Sequence, residues 1–564
     1  MASLYPKKIS GKTYWYLREM ARVGGRPKMV SERYVGTAAE IEALLDARER
    51  QIMPDRTRHL AFGDVAAAWG MLEDLGVAGI IDAAAGRGPA GLPLSPGTYL
   101  VLAALNRVVD PCSKRGLVDW WKRTAADRFT KIPAGALDHR RFWDAMHAVS
   151  LKDLEQVSQA IALRIVEAYE LDCSSVALDM TNFATFIATT NGKAPIAQRG
   201  KAKQQRTDLR IVGLGLVVTR NGGIPLAWHA YPGDRPDVTQ FSQVIDELVA
   251  RYRDLAAQVE SLTVVYDAGQ NSAANHQVVE ALGVGFVGSL PPSDHPELLA
   301  VPRSRYTPVD ADRYPGLSCV DTTCTALGVT RRAVLTHSAT LHAAQSRGLD
   351  QSLAKAHRRL GELQAKLAGG KTRRQRPAVE AELAAICKPC WVGQVITTAL
   401  TGDRPAQLRL SWRTDTRARQ RLETRLFGKR ILFTNRDTWP VADVVAAYRS
   451  QSEVEAGFRQ MKDPQVVSFS PMYHWTDQKI RVHVFYCVLA LAIAHLLRRQ
   501  ADHAGLHLSV RELLAELAGI QETVLLYHDG GKGRPRARRM LTEMSPTQQR
   551  LADLFDLHRY TPPR

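Results

Sequence analysis

The sequence predicts a mixed α/β sheet with helices on its faces as the heart of the chain. Three observations carry this. Two short apolar runs, Ser174-Ser-Val-Ala-Leu-Asp179 and Leu262-Thr-Val-Val-Tyr-Asp267, read as strands that each end in an acid. Between and after them the order is three hairpin-linked strands, helix, strand, helix, strand, the order of a mixed sheet with helical crossovers. Far downstream, the helix formers that follow Pro440 carry a third acid, Glu455.

Bulk properties bound the rest. The 564 residues suggest about three to four domains. A hydrophobic fraction of 45% supports real cores. The balance of 75 Lys and Arg against 57 Asp and Glu gives a net charge of +18, which points to a polyanionic partner, most often nucleic acid. Seven scattered cysteines form no disulfide framework, and the lone pair Cys387-Lys-Pro-Cys390 lacks the further ligands zinc requires. Met1 to Lys8 has no apolar run of a signal peptide. Residues 88–106 are broken by prolines, and residues 482–497 are short for a membrane span and contain two histidines, so the latter read as a buried helix. The expectation is a cytoplasmic protein of bacterial type, nucleoid-associated when bound to DNA, with no membrane partner.

Residues 1–58 form a basic, β-rich module. Two β-prone runs flank Gly24-Gly25 as a hairpin carrying Tyr14, Trp15, Tyr16 and Tyr34. DNA contact and packing on the next domain suit it equally. Residues 59–170 are rich in Ala and Leu with helical periodicity, a helical domain that reads either as DNA-binding or as scaffold. Residues 171–294 form the first part of the catalytic core, with a basic loop after the first acid that holds Lys201, Lys203 and Arg206. Residues 295–430 interrupt the alternation with β-prone runs and a long helix from Asp350, and read as an α+β insertion. Residues 431–525 return to the core, entered by a strand within Phe427 to Asn435. Residues 526–564, with Lys532-Gly-Arg-Pro-Arg-Ala-Arg-Arg539, read as a flexible basic tail.

The Glu455 stretch predicts one helix over residues 441–461. Steps of three, four and seven return to one face, so Glu455 shares its face with Tyr448, Gln451, Phe458, Arg459 and Lys462. A solvated face with a Glu455–Arg459 pair is the plainer alternative. Hard divalent cations take oxygen ligands and need one or two carboxylates each, and two such ions about 4 Å apart serve phosphodiester chemistry. Two strand-borne aspartates and a helix-borne glutamate offer that donor set, although an aspartate at a strand end more often caps a turn.

These segments together resemble the DDE-type transposases of bacterial insertion sequences. Leu178-Asp-Met-Thr-Asn182 is similar to the family's first-acid strand, and Val264-Val-Tyr-Asp-Ala-Gly269 to its second, with Asn271 or Asn275 nearby. Tyr448, Glu455 and Lys462 match a Y-x2-R-x3-E-x6-K signature at its spacing, while Gln451 stands at the signature's Arg and keeps a hydrogen bond but not the charge. Asn106 to Lys114 and Tyr473 to Arg481 are further family-like text.

The resemblance implies a ribonuclease-H-like (retroviral-integrase-like) core interrupted by a strand-rich insertion. It implies that Asp179, Asp267 and Glu455 hold two Mg²⁺ ions, with Mn²⁺ able to substitute. Cleavage at the element's ends and strand transfer of the 3′-OH into target DNA follow. Tyr448, Gln451, Arg459, Lys462, Lys201, Lys203 and Arg206 are implied to position DNA phosphates. The implied partners are double-stranded DNA, as terminal inverted repeats and target, and a second copy of the chain in a synaptic homodimer. The competing expectations are a catalytically silent, sequence-specific DNA-binding protein and a resolvase-type endonuclease on the same fold.

Overall fold

A computed structural model describes residues 2–86, 88–200, 202–203, 208–255, 262–370, 373–527 and 536–563. Lys201 and Arg206 of the basic loop, and Lys532 to Arg534 with Pro535 of the basic tail, lie outside the described residues. The chain divides into two compact units. One comprises Met1–Met71, Lys114–His139 and Gln500–Arg564, the other Leu72–Ser113 and Arg140–Arg499.

The first unit opens with three antiparallel strands, β1 (Ala2–Ile9), β2 (Lys12–Val23) and β3 (Arg26–Gly36), in the order β1-β2-β3. The expected hairpin about Gly24-Gly25 is β2 and β3, and Lys12 through Glu19 gain β1 as a third partner. A helix, Ala38–Ile52, and a fourth strand, β4 (Arg56–Ala61), follow. Residues 59–170 are mainly helical as expected, but the boundary between the two units runs through them, at Met71, Ser113 and His139, so they do not make one contiguous domain.

The second unit is built on a nine-stranded sheet. Its first strand, β5 (Ser175–Ala184), pairs antiparallel with β6 (Ile211–Thr219), which pairs antiparallel with β7 (Pro225–Pro232). All nine residues of β6 are buried, as expected of a strand covered on both faces. The helix Asp237–Leu255 crosses to β8 (Thr263–Val265), and the helix Ala273–Ala281 crosses to β9 (Gly285–Leu290). Strands β5, β8 and β9 are mutually parallel neighbours. The sequence places Asp179 at the end of its strand; instead β5 runs on through Ala184, because Met180 to Phe183 are all buried and pair with β6.

The interruption is narrower than residues 295–430. Strands β10 (Thr307–Pro308), β11 (Leu317–Ala326) and β12 (Val329–Ser338) extend the large sheet itself. Only beyond Ser338 does the chain leave the sheet, through the 30-residue helix Ala339–Ala368, the helix Arg376–Cys387, and a two-stranded sheet of β13 (Ile396–Thr401) and β14 (Arg409–Thr414). This lobe has its own core, in which Leu353, Leu360, Val379, Leu383, Leu410 and Phe427 are buried together. Strand β15 (Lys429–Thr434) returns to the sheet between β12 and β9. The full order is β10-β11-β12-β15-β9-β8-β5-β6-β7.

Two helices follow where the sequence predicts one: Val441–Arg449 and Gln451–Lys462, broken at Ser450. The Ser450 hydroxyl donates to the Ala447 carbonyl at 2.6 Å, satisfying a terminal acceptor of the first helix. The helix Asp477–His503 is long and apolar enough to cross a membrane, yet 94% of its apolar window is buried inside the protein, as the sequence reading of residues 482–497 has it.

The expected flexible tail is folded where it is described. Strand β16 (Gln521–Tyr527) pairs with both β17 (Arg536–Leu541) and β4. The reason lies at Glu522, which is fully buried and receives Arg539 at 2.5 Å and Arg128 at 2.6 Å. The arginines of this segment look solvated in sequence because their acid is supplied by the neighbouring strand.

Candidate functional site

Asp179 and Asp267 are brought together by adjacent parallel strands. The last paired residues of β5 and β8 are Ala177 and Val265, and each aspartate lies two positions beyond its own member of that pair. Strand β8 has ended by then, and Asp267 opens a short 3-10 turn, Ala268–Gln270.

Each carboxylate is held from one side. Oδ1 of Asp179 accepts from the Met180 amide at 2.7 Å and from Nε2 of Gln270 at 3.2 Å. Oδ1 of Asp267 accepts from Oγ of Ser289 at 3.0 Å and from the Tyr448 phenol at 3.1 Å. The turn between them is pinned as well. Asn271 donates to the Ser289 carbonyl at 2.6 Å, and Asn275 donates to the Gln270 carbonyl at 2.8 Å. The two asparagines flagged in the sequence therefore shape the loop that carries the second acid.

Electrostatics set Asp179 apart. Burial pushes its carboxyl up to about 6, against the Met180 amide bond and the Lys203 charge, and the charge of Asp267 adds to the rise. No salt bridge relieves it among the described residues. Lys203 instead pairs with Asp237 at 3.0 Å and donates to the Met180 carbonyl. Lys462 donates to the Thr181 hydroxyl at 2.6 Å, and its ammonium is pulled below its ordinary pKa by burial first and by Lys203 second. Tyr448 is buried, and its phenol is raised by that burial and by Asp267.

Glu455 reaches the site from the helix Gln451–Lys462. That helix is fixed by side chains on its other faces. Glu453 pairs with Arg498 at 2.9 Å, Gln460 meets His495 at 2.8 Å, and Gly457 lies so close to Leu491 that a Cβ there would come within 3.2 Å of it. Glu455 is exposed, and among the described residues it makes no salt bridge, so the Glu455–Arg459 surface pair is absent. It lines a cavity of about 490 Å³ together with Asp267, Ser289, Arg430, Tyr448 and Arg449.

Two placements differ from the sequence reading. Gln451 is 5% exposed, and its amide donates to the Leu178 carbonyl at 3.0 Å, tying the helix to the strand that carries Asp179. Its Nε2 is spent on the backbone, and the residue still lines the cavity beside Glu455. The break at Ser450 puts Arg449 beside the cavity as well, although on one continuous helix it falls on another face. The site also includes residues the sequence did not single out, Gln270, Ser289 and Arg430; a polar residue within a strand or turn carries no distinctive sequence signal. Arg459 is exposed and does not line the cavity.

The donor set is all oxygen, which suits a hard divalent cation. A desolvated carboxylate with a raised pKa and no salt-bridge partner is the state such an ion relieves, so Asp179 fits the requirement. Among the described residues, however, no three His, Cys, Asp or Glu side chains stand close enough to hold a single ion, so Glu455 shares the cavity with Asp267 without closing a cage.

No curated protein matches the chain. Among solved structures, the piggyBac transposase in a synaptic complex with hairpin DNA is similar at 9% identity, over 81% of this chain and 78% of that one, with a TM-score of 0.37. A family model described as the transposase DDE domain matches residues 176–493, a span that contains all three acids and the whole large sheet but the first residue of β5. With more than half of its length matched, the chain belongs to the DDE-domain transposase family.

Proposed function

We propose that the chain cuts DNA at the ends of a mobile element and joins the freed 3′-OH to target DNA. Asp179, Asp267 and Glu455 are the residues that would hold the divalent ions, Mg²⁺ or Mn²⁺. Such ions activate a water or hydroxyl nucleophile and stabilise the leaving oxygen in phosphodiester chemistry. The observation that carries the proposal is the side-by-side placement of Asp179 and Asp267 at the same level of two parallel strands, next to a cavity that Glu455 enters.

The protein's own groups have separable parts. Gln270 holds Oδ1 of Asp179, and Ser289 and Tyr448 hold Oδ1 of Asp267, so the bonds from these side chains fall on one oxygen of each carboxylate. Arg430 and Arg449 supply the positive charge at the cavity that Gln451 lacks, and would receive the DNA backbone there. Lys462 and Lys203 hold the strand residues next to Asp179 and keep positive potential beside it. The sheet order β7-β6-β5-β8-β9, an antiparallel meander followed by two parallel strands, supports a ribonuclease-H-like core. Synapsis of two ends by a homodimer belongs to the same proposal.

The test is cleavage of a labelled duplex that carries the element's own end, with and without Mg²⁺, by wild type, D179A, D267A and E455A. Metal-dependent nicking lost in all three variants, with duplex binding retained, is the expected result. A second reading, a silent DNA-binding protein, is favoured by the open arrangement of Glu455. Tight duplex binding without nicking under Mg²⁺ or Mn²⁺ would establish it instead.

A further inference from the structure

Strands β2 and β3 continue past the end of β1. Because β1 pairs only with Lys12 through Glu19, the sheet from Met20 to Met29 is a two-stranded ribbon. The ribbon closes on Gly24 and Gly25 with φ of +61° and +79°, the backbone of a type I′ hairpin turn that suits glycine. A Cβ built at either glycine would meet nothing within 4 Å, so the tip stands in open space.

The charge on this ribbon is one-signed. Arg22, Arg26 and Lys28 are exposed, and no acid occurs between Glu19 and Glu32. Glu32, at the ribbon's base, is already taken by Lys7 at 2.7 Å and Arg18 at 2.6 Å. Among the described residues the three ribbon cations have no ion-pair partner. The register also divides them. Arg22 stands opposite Pro27, and Ala21 opposite Lys28. Side chains alternate along a strand, so Arg22 lies on one face while Arg26 and Lys28 lie on the other.

We propose that the ribbon of residues 20–29 enters a groove of duplex DNA, with Arg22 facing one phosphate wall and Arg26 and Lys28 facing the opposite one. The partner rests on the reading of the chain as a transposase; the location rests on the ribbon itself. The major groove of B-DNA admits a two-stranded β-ribbon. A ribbon with cations on both faces is complementary to a channel that has phosphates on both sides, whereas a flat anionic surface would engage one face only. The contacts are to the backbone, so they add affinity and salt dependence without sequence preference.

The experiment is binding of the full chain to a 40-base-pair duplex of mixed sequence, without divalent metal, across a salt series. Wild type is compared with R22A/R26A/K28A and with R22K/R26K, and thermal unfolding checks that each variant is folded. Losing three phosphate contacts reduces the slope of log affinity against log salt by roughly 2 to 3. The proposal expects that reduction in the triple alanine variant and a near-wild-type slope in the lysine variant. An unchanged slope in the alanine variant overturns the ribbon assignment while leaving the transposase reading intact. An equal loss on a single-stranded 40-mer overturns the groove. A wild-type chain that binds no duplex at low salt removes both readings.

Discussion

The phenol of Tyr448 lies 3.1 Å from Oδ1 of Asp267, a contact that spans 181 residues of sequence. It links the first residue of the helical signature to the second acid. The same carboxylate oxygen is met by Ser289, so two hydroxyls fix one oxygen and leave the other for a ligand. Partners of this kind commonly carry a 10- to 100-fold share of metal affinity or activity. We expect Y448F to lower metal-dependent nicking by about that factor, with partial recovery at high Mn²⁺, and S289A to do so more weakly. Nicking by Y448F that follows the wild-type metal titration throughout would remove the phenol from any positioning role.

Asp179 predicts a pH dependence of stability. Folding raises its carboxyl from the usual range to about 6, so the native state holds the proton more tightly than the unfolded chain. The metal-free protein therefore gains stability as pH falls from above 6 towards 4, and pays a penalty of at most about 3 kcal/mol above that window. D179N removes the penalty. Its midpoint of thermal unfolding is expected to exceed that of wild type at pH 7.5 and to converge with it near pH 4. A constant difference at both pH values would show that desolvation of this carboxylate is not its source.

The same proton competes with cation binding. Below pH 6 the apparent affinity for Mn²⁺ is expected to fall by up to about tenfold per pH unit, since the ligand must be ionised. Calorimetric titration of Mn²⁺ at pH 5, 6 and 7.5 reads this directly. Flat affinity over that range would place the ion away from Asp179.

Charge at the cavity separates Arg430 and Arg449 from Gln451. R430A and R449A are each expected to weaken binding of the element end and to lower its salt slope by about 0.9, one phosphate contact apiece. Q451A is expected to leave the slope unchanged and to lower stability by about 1 kcal/mol, the worth of its bond to the Leu178 carbonyl. A salt slope that drops in Q451A and holds in both arginine variants would reverse the assignment.

Arg107 is a structural keystone within the second unit. It is 1% exposed, and its guanidinium donates to the carbonyls of Ser470 at 2.6 Å, Cys112 at 3.2 Å and Ser468 at 3.3 Å. R107M takes the guanidinium from these three carbonyls, of which that of the buried Ser468 is the most costly to leave unpaired, and a loss of about 3 kcal/mol is expected in urea unfolding. The neighbouring Asn106 closes the same turn by accepting from the Cys112 amide at 3.2 Å. Asn106 and Arg107, in the segment that resembles the family's text, thus hold the fold together.

Much of the core was legible from local pattern. The runs ending at Asp179 and Asp267 are apolar and β-branched, and the segment between them switches from period two to period 3.6, so strands β5 to β9 and their two crossover helices follow from the residues alone. Asp179 and Asp267 stood out because each closes a short apolar run, although β5 in fact continues past Asp179 to Ala184. The insertion's near boundary was not, because β11 and β12 look like any hairpin until β12 hydrogen-bonds to β15.

What the sequence determined by itself is therefore the family, the alternation of the core and the sign of its own net charge. These depend on local spacing and on composition. Only the tertiary structure decided which groups hold the acids. Gln270, Ser289 and Tyr448 converge on two carboxylates from separate elements, and a hydrogen bond across 91 or 181 residues leaves no trace in local periodicity. It likewise decided that the helix breaks at Ser450, that the Gln451 amide ties to the Leu178 carbonyl, that Arg449 joins the cavity lining, and that the basic C-terminal strand folds onto a buried Glu522. Each depends on a partner supplied from elsewhere in the chain, and long-range pairing is fixed by packing rather than by propensity.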